Sequence, residues 1–480
     1  MPAAPSASPV SRSFSHLLLA TVLAAWFAIG SDPARATPAL PPELEAALVR
    51  SRLPADAVTL LVADADGQQA PRLSHRAEVP VNPASLAKLA TTFAALELLG
   101  PAYSWNTPIY LDGAVQDGTL KGNLVVKGSG DPRLVVERLW LVLRRVQGLG
   151  IRRIQGDIVI DRSAFDIPAQ DPSAFDGEPL RPYNAAPDAL LVNFRSVQLH
   201  FTPLGGSARV QVEPTLNGVQ VPTAVPLVGG PCGDWRARLK ADFSDPARVR
   251  FAGAYPLACG SRSWPVAPPD GASHAARALV GLWHELGGRI DGVVREGRVP
   301  PGLEPVVEAM SPPLAEVVRD INKYSNNVMA QQLFLTLSLQ RLGTGTWGGS
   351  RAVLQQWWRE RLGGEPPVLG NGSGLSREDR VSAAQLALLL QRAWASPLMP
   401  EFLASLPVAG LDGTARRTGL ASTGLAHLKT GSLRDVTGVA GYVHTADGRR
   451  RVVVAIANHP DAGALRPVID VLLEWAARTP

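Results

Sequence analysis

The chain is poor in cysteine, lysine and aromatic residues. Of its 480 residues, two are cysteines and 6% are aromatic, and only six of its 47 Lys and Arg residues are lysines. The low aromatic content argues against a nucleic-acid surface built on base stacking. No CxxC or HExxH motif occurs, and the eight histidines show no metal-ligand spacing, so we expect no metal ion and no other cofactor.

Long apolar runs are also lacking, except near the N-terminus. There a thirteen-residue run, Leu17–Ile29, follows a weakly basic segment and precedes the small-residue pattern Ala34-Arg35-Ala36. The run is too short for a typical spanning helix, and the pattern predicts a secretory signal peptide over residues 1–36. We therefore expect an exported protein with no integral membrane span after cleavage. An uncleaved membrane anchor is the alternative.

The two cysteines, Cys232 and Cys259, lie close together in a region rich in Gly and Pro. Export would place them in an oxidising compartment, where a disulfide between them is expected. Closing that loop would stabilise the fold by about 3–4 kcal/mol in the chain-entropy model. Two buried free thiols are the alternative.

The overall charge is mildly basic. The formal net charge is +5 and the pI about 9.4, but the basic residues are spread along the chain. Such an excess favours attraction to a polyanionic envelope, and a solvated surface without a partner is an equally good interpretation.

The chain length predicts two or three domains. Residues 37–104 and 301–480 are expected to form one discontinuous domain, whose sheet combines an early hairpin with a late one. The β-rich region between them, residues 105–300, is interpreted as a large insertion of one or two subdomains. The predicted hairpin strands are Ala57–Ala63 with Arg72–Ala77 and Val436–Val443 with Arg451–Ala457. The predicted helices are Glu43–Arg50, Leu86–Leu99, Leu134–Gln147, Leu314–Ile321, Val328–Gln340, Ala352–Leu362, Ala383–Ala395 and Leu465–Ala477.

The first chemistry-bearing motif is Ser85-Leu86-Ala87-Lys88, which is predicted to open a helix. Two side chains three residues apart lie on the same face of a helix. A helix N-terminus favours a developing negative charge, and a desolvated lysine can act as a base. By itself the motif is equally well explained by a serine near a helix cap and a surface lysine.

The second motif, Ser325-Asn326-Asn327, lies where one predicted helix gives way to the next. Ser325 and Asn327 can place a hydroxyl and an amide in one cleft, although a polar turn that caps the following helix is the simpler interpretation.

The third motif, Lys429-Thr430-Gly431-Ser432, is predicted to end a short strand. Its lysine and hydroxyls could bind a carboxylate, and its glycine would let a substrate backbone approach closely. An ordinary strand-end turn is the alternative.

The three motifs together indicate much more than each one does alone. They occur in the order SxxK, SxN, KTG, the set found in β-lactamases and penicillin-binding proteins. Three of the six lysines, Lys88, Lys323 and Lys429, lie in or beside them. Because arginine stays protonated and cannot act as a base, lysines kept in an arginine-rich chain are consistent with chemistry at these positions.

With these motifs, the chain resembles the class C low-molecular-mass penicillin-binding proteins, a family of D-alanyl-D-alanine carboxypeptidases and endopeptidases. The resemblance covers essentially the whole mature chain, and the 240 residues from Ser85 to Ser325 fit the large insertion of that class. Asn371 stands where the family usually has Asp. The further segments that carry the resemblance are Gly128-Ser129-Gly130-Asp131-Pro132, Gly156-Asp157-Ile158, Gly372-Ser373-Gly374-Leu375-Ser376-Arg377 and Gly410-Leu411-Asp412-Gly413-Thr414.

The resemblance implies a mixed α/β (α+β) fold: a β-lactamase-like transpeptidase domain, with an antiparallel sheet flanked by helices, and a β-rich insertion. It also implies a periplasmic enzyme that acts on peptidoglycan stem peptides and is inhibited by β-lactams. The residue roles that it implies are the nucleophile Ser85, its base Lys88, the proton relay Ser325, the substrate-binding residues Asn327, Lys429, Thr430 and Ser432, and the oxyanion-binding backbone N–H groups of Ser85 and Ser432.

Three other functions remain open. A β-lactamase would need a deacylating Glu, and no ExxxN-type Glu occurs between the second and third motifs. A non-catalytic cell-wall-binding or sensor protein could keep the fold without turnover. An esterase or amidase could also use this scaffold, since the fold does not fix the substrate.

Overall fold

A computed structural model describes residues 40–418 and 423–478. The predicted signal peptide, residues 1–36, therefore lies outside the described residues. In the part of the chain that is described, no helix is long and apolar enough to cross a membrane.

Eight of the eleven α-helices in the described residues overlap the segments that the sequence predicted as helical. The eleven helices are α1 (Pro42–Ser51), α2 (Lys88–Leu99), α3 (Val136–Gly148), α4 (Trp235–Leu239), α5 (His274–Glu285), α6 (Leu314–Tyr324), α7 (Asn327–Leu342), α8 (Trp347–Arg361), α9 (Ala383–Trp394), α10 (Met399–Ser405) and α11 (Arg466–Arg478).

The strands fall into sheets at the two ends and in the middle of the chain. They are β1 (Val58–Asp64), β2 (Leu73–His75), β3 (Asn106–Gln116), β4 (Thr119–Lys127), β5 (Arg153–Ile154), β6 (Ile158–Asp161), β7 (Val197–Leu204), β8 (Ser207–Glu213), β9 (Ala224–Val228), β10 (Ala241–Asp245), β11 (Arg248–Phe251), β12 (Tyr255–Pro256), β13 (Arg262–Val266), β14 (Arg289–Ile290), β15 (Val294–Glu296), β16 (Val307–Met310), β17 (Ala426–Leu433), β18 (Val436–His444) and β19 (Arg450–Asn458).

One antiparallel sheet combines both ends of the chain, as predicted, in the order β17-β18-β19-β1-β2. Strands β1 and β19 are buried almost throughout and do not alternate between apolar and polar residues. The reason is that helices cover both faces of the sheet. Helices α2, α6, α7 and α9 contribute to the hydrophobic cluster on one face, and α1 and α11 to the cluster on the other.

Helix α11 shows how the sequence specifies this packing. Its buried residues, Val468, Ile469, Leu472, Leu473 and Ala476, recur at the spacing of one helix face. That face lies against the sheet, in the same hydrophobic cluster as buried residues of β1, β18 and β19.

The middle of the chain has a hydrophobic core of its own, whose buried members run from Ile109 to Ala309. It contains a seven-stranded mixed sheet that includes β3 to β6, a five-stranded sheet in the order β12-β9-β8-β7-β13, and the β10-β11 hairpin. A disulfide joins Cys232 and Cys259 in this region, which confirms the predicted pairing.

The division of the chain at residues 104 and 300 stays a prediction that these separate cores support. Strand β16 lies beyond residue 300 but pairs with β3. This pairing favours a second boundary slightly later, near Ser311.

Two of the predicted local structures were wrong. Ser85 does not open an α-helix: it lies in the 3₁₀ turn Ala84–Ala87, and α2 begins at Lys88. The third motif does not end its strand, because β17 continues through it to Leu433. The sequence analysis also missed helices α4, α5 and α10.

Candidate active site

The turn that carries Ser85 is held from both sides. The side chain of Asn82 accepts a hydrogen bond from the Ala84 N–H (2.9 Å), and its own backbone N–H and C=O are bonded by the amide of Asn458 in β19 (2.8 and 3.0 Å). Ala84 has a positive φ of 47°, a conformation that non-glycine residues adopt at a cost of about 1–2 kcal/mol. The tertiary contacts therefore fix a strained turn and, with it, the position of Ser85.

Lys88 lies one turn further on and is completely buried. Its Nζ donates to Ser85 Oγ (3.0 Å), to Asn327 Oδ1 (2.6 Å) and to the Ser373 carbonyl (2.5 Å). Burial lowers the pKa of Lys88 well below the ordinary lysine value, the positive charge of Lys429 lowers it further, and Asp379 partly opposes both. Burial is thus a larger cause of this shift than the neighbouring lysine.

A second serine–lysine pair lies across the cleft. Ser325 ends helix α6 in the left-handed conformation (φ 56°), which turns the chain sharply before α7 begins at Asn327. Lys429 Nζ donates to Ser325 Oγ (2.9 Å) and to the Thr430 carbonyl (2.7 Å). Lys429 is fully buried, and burial lowers its pKa to about 7.

Strand β17 brings the third motif against the Ser85 turn. It is an edge strand of the sheet as described, so some of its backbone N–H groups are not used by β18. A Cβ at Gly431 would lie 2.8 Å from the Pro83 carbonyl, so only glycine allows this approach. Thr430 Oγ1 lies 2.6 Å from Thr414 Oγ1, in a loop that the Lys323–Asp412 ion pair (2.6 Å) holds in place.

The cleft has two parts that meet at Ser85, Ser325 and Ser432. The larger part, about 500 Å³, is bounded by Asn327, Arg377 and Arg434 and, from the middle region of the chain, by Phe175, Asp176, Glu178 and Tyr183. The smaller part, about 300 Å³, is lined by the hydroxyls of Thr414, Thr418, Thr430, Ser432 and Thr437 and by Arg466. The structure therefore brings together all seven residues that the sequence proposed for the site.

Sequence reasoning missed several contacts. The Tyr183 carbonyl accepts a hydrogen bond from Asn327 Nδ2 (3.1 Å), and the Ser373 carbonyl accepts from Lys88. Asp379 is fully buried close enough to Lys88 to affect its charge. The segment Gly372-Ser373-Gly374 could have indicated the close approach of this loop to the Ser85 turn. Gly374 has a φ of 78°, and a Cβ there would lie 1.9 Å from the Ala84 carbonyl oxygen. No local pattern marks Tyr183.

Asn371, the departure from the family pattern, closes the same loop. Its Oδ1 accepts from the backbone N–H and the hydroxyl of Ser373 (3.0 and 2.8 Å), and its Nδ2 donates to the Leu375 carbonyl (3.0 Å). A carboxylate could provide the first two bonds but not the third.

A serine beside a buried lysine, a second serine–lysine pair, and a sheet edge that borders the cleft define the penicillin-binding, β-lactamase-like class of serine enzymes. Within that class the chain belongs to the D-Ala-D-Ala carboxypeptidase 3 (S13) family, whose model matches residues 40–479. It is thus a serine-type D-Ala-D-Ala carboxypeptidase, a hydrolase of peptidoglycan, as its motifs predicted.

Two characterised relatives are similar over most of their length. The D-alanyl-D-alanine carboxypeptidase DacB of Haemophilus influenzae is 25% identical over 80% of this chain and 81% of its own. The D-alanyl-D-alanine carboxypeptidase of Actinomadura sp. strain R39 is 29% identical over 79% of this chain and 74% of its own.

The fold is that of a solved penicillin-binding protein. The crystal structure of penicillin binding protein 4 (dacB) from Haemophilus influenzae superposes with a TM-score of 0.73 at 22% identity, over 91% of this chain and 99% of that one. A second structure of the same protein, in complex with a β-lactam, gives a TM-score of 0.68 at 22% identity over 88% of this chain and 96% of that one.

Proposed function

We propose that this enzyme hydrolyses the D-alanyl-D-alanine bond of peptidoglycan stem peptides through an acyl-enzyme on Ser85. The observation that carries the proposal is the 3.0 Å contact between Ser85 Oγ, which borders the cleft, and the Nζ of Lys88, which is fully buried. Because the pKa of Lys88 is lowered, the amine is neutral far more often than an exposed lysine would be. The neutral amine takes the Ser85 proton as the oxygen attacks the carbonyl carbon of the penultimate D-alanine.

The tetrahedral oxyanion is stabilised by the backbone N–H groups of Ser85 and Ser432. Both residues border the cleft, one in the strained turn before α2 and the other on the edge strand β17. Donors on such rigid backbone need no reorganisation when the negative charge develops.

Ser325 and Lys429 supply the proton that the leaving group needs. Lys429 donates to Ser325, whose hydroxyl passes a proton to the amine nitrogen of the terminal D-alanine as the C–N bond breaks. The released D-alanine leaves an ester on Ser85. Before deacylation, the proton that Lys88 accepted from Ser85 replaces the one that Lys429 gave up, so Lys88 is neutral again. Lys88 then takes a proton from the water that attacks the ester and returns it to the Ser85 oxygen as the C–O bond breaks.

The terminal carboxylate of the substrate binds in the smaller part of the cleft. Its hydroxyl lining, including Thr430 and Ser432, offers hydrogen-bond donors, and Lys429 lies behind them. With a pKa of about 7, Lys429 is only partly charged at neutral pH in the free enzyme. The guanidinium of Arg466, on the same wall, provides a positive charge for the carboxylate.

The larger part of the cleft holds the rest of the stem peptide, with Asn327 against its amide. One N–H of Asn327 is already bonded to Tyr183, which leaves the second for the substrate. β-Lactams enter the same cleft and acylate Ser85, and the related Haemophilus influenzae protein has been solved with a β-lactam. The signal-like N-terminus and the peptidoglycan substrate support a periplasmic location.

Incubation with purified muropeptides tests this proposal. Release of D-alanine from monomeric pentapeptides by the wild-type enzyme, with none from Ser85→Ala, is the expected result. Cleavage of cross-linked dimers in the same assay would add endopeptidase activity. Binding of muropeptides without any product would instead indicate a cell-wall-binding protein on this fold, and rapid penicillin turnover would indicate a β-lactamase.

A further inference from the structure

The middle region of the chain contacts the candidate active site through the segment Pro182–Asp188, here called the bridging segment. The segment lies along helix α7, the helix that begins with Asn327. Its Tyr183 carbonyl accepts a hydrogen bond from Asn327 Nδ2 (3.1 Å), while Asn327 Oδ1 accepts from Lys88 Nζ (2.6 Å). The Tyr183 carbonyl therefore selects the amide orientation in which the oxygen of Asn327 faces Lys88.

A second attachment lies five residues further along the helix. Gln332 is fully buried, and its amide bonds both backbone groups of Asp188: the Asp188 N–H donates to Gln332 Oε1 (2.9 Å), and Gln332 Nε2 donates to the Asp188 carbonyl (2.8 Å). The bridging segment is thus fastened to α7 at both of its ends. Neither contact depends on a long flexible side chain at the surface.

The carboxylate of Asp188 fixes the segment to the middle region. It forms ion pairs with Arg162 Nε (2.9 Å) and with a terminal nitrogen of Arg195 (2.7 Å), and its own side chain is nearly inaccessible to solvent. A buried carboxylate with two guanidinium partners is costly to separate from either. Movement of the segment would break this cluster.

The segment Gly128-Ser129-Gly130-Asp131-Pro132, which the reaction itself does not use, supports the same stretch of chain. The Gly130 N–H donates to the Ala189 carbonyl (2.7 Å), directly after the bridging segment. A Cβ at Gly128 would lie 2.4 Å from the Ala189 carbonyl group, so a side chain there would displace it. At the other end, the Tyr183 hydroxyl (2.9 Å) and the Asn184 amide (2.7 Å) both donate to Asp176.

We propose that the bridging segment is a positioning element of the catalytic site, and that Gln332 and Tyr183 keep Asn327 oriented so that its amide oxygen holds the Nζ of Lys88 beside Ser85. The inference rests on the proposed function, because it matters only if Lys88 activates Ser85. It gives the middle region a role in the chemistry: the region supplies the hydrogen-bond acceptor that fixes Asn327.

The test is the rate of acylation by a fluorescent penicillin, measured from pH 5 to pH 10 on the full chain. Gln332→Met keeps the side-chain volume but removes both bonds to Asp188. The expected result is a plateau rate roughly tenfold lower, since small misplacements of reacting groups are costly. The acid limb of the profile should also move to lower pH, because Lys88 loses an acceptor that favours its charged form, while Lys429 and Asp379 still act on it.

Gln356→Met is the matched control, since Gln356 lies on an exposed part of α8 and bonds Glu360 (2.8 Å). It should leave both the rate and the profile unchanged. If Gln332→Met does not fold, Tyr183→Phe is the variant that tests the inference, because it removes the hydroxyl bond to Asp176 and keeps the Tyr183 carbonyl. A several-fold lower plateau of the acylation rate, with the acid limb of the pH profile shifted, supports the inference.

A folded Gln332→Met with the rate and pH profile of the wild type would overturn the inference, as would a wild-type profile of Tyr183→Phe where it has to decide. Failure of the proposed function would look different, because the wild type itself would then not be labelled at Ser85.

Discussion

Lys429 Nζ lies 2.9 Å from Ser325 Oγ, so the edge strand of the sheet and the junction of helices α6 and α7 meet in a single hydrogen bond. This bond faces the Lys88–Ser85 contact across the cleft. Two buried lysines, each beside a serine, give the site two proton carriers at different positions. The predictions below test these two pairs and the groups around them.

Ser85→Ala should abolish covalent labelling by fluorescent penicillin, because the acyl-enzyme bond forms on its Oγ. Ser263→Ala, at an exposed position of β13 in the middle region, is the matched control and should label like the wild type. Gel fluorescence after denaturation measures both. Stoichiometric labelling of Ser85→Ala would show that another residue is the nucleophile.

Lys429→Met should flatten the pH dependence of stability above neutral pH. The folded protein holds Lys429 with a pKa of about 7, whereas an unfolded lysine titrates near 10.4. Between these values the unfolded state binds a proton that the folded state does not, so wild-type stability rises with pH across this window and the cost of burying the charge is felt below it.

Urea unfolding of the wild type and Lys429→Met at pH 7, 8 and 9 measures this effect. Lys88, whose pKa is lowered mainly by burial, contributes in the same direction in both proteins, so the difference between the two slopes reports Lys429 together with the effect of its charge on Lys88. Equal slopes would mean that Lys429 stays charged in the folded enzyme.

Arg466→Ala should raise the KM for peptides with a free terminal carboxylate roughly tenfold and leave kcat nearly unchanged. A tenfold rise in KM corresponds to the loss of one charge-assisted hydrogen bond that the substrate makes equally in the ground and transition states. Peptides with an amidated C-terminus should show no such difference. Arg478→Ala, at the far end of the same helix, is the control. A KM that rises equally for both peptides would exclude a carboxylate contact.

Asn371→Asp should destabilise the fold by about 1–2 kcal/mol, because the Leu375 carbonyl loses its donor while the bonds to Ser373 can persist. Acylation should also slow, since the Ser373 carbonyl holds Lys88. The free energy of urea unfolding and the acylation rate are the two measurements. The exposed Asn217→Asp serves as the control. Unchanged stability would mean that the loop does not depend on the amide.

Much of the fold could be predicted because local patterns carry it. The helices that pack one apolar face against the sheet, such as α11, have buried residues at helical spacing. The late hairpin β18-β19 has two long apolar runs around a turn. The boundary errors at Ser85 and Ser432 arose where tertiary contacts outweigh local preference, since a strained turn and an extended edge strand are each stabilised by the other.

What the sequence by itself determined was the set of reactive groups and their order: SxxK, SxN and KTG name Ser85, Lys88, Ser325, Asn327 and Lys429, and the scarcity of lysine elsewhere sets two of these apart. Only the tertiary structure decided the pKa values of these groups and the contacts that orient them. Both lysines are buried in the folded protein, and this burial lowers their pKa values. The contact of Tyr183 with Asn327 joins residues more than a hundred positions apart. Desolvation and hydrogen-bond geometry depend on what surrounds a group in space, and no local pattern of residues records that.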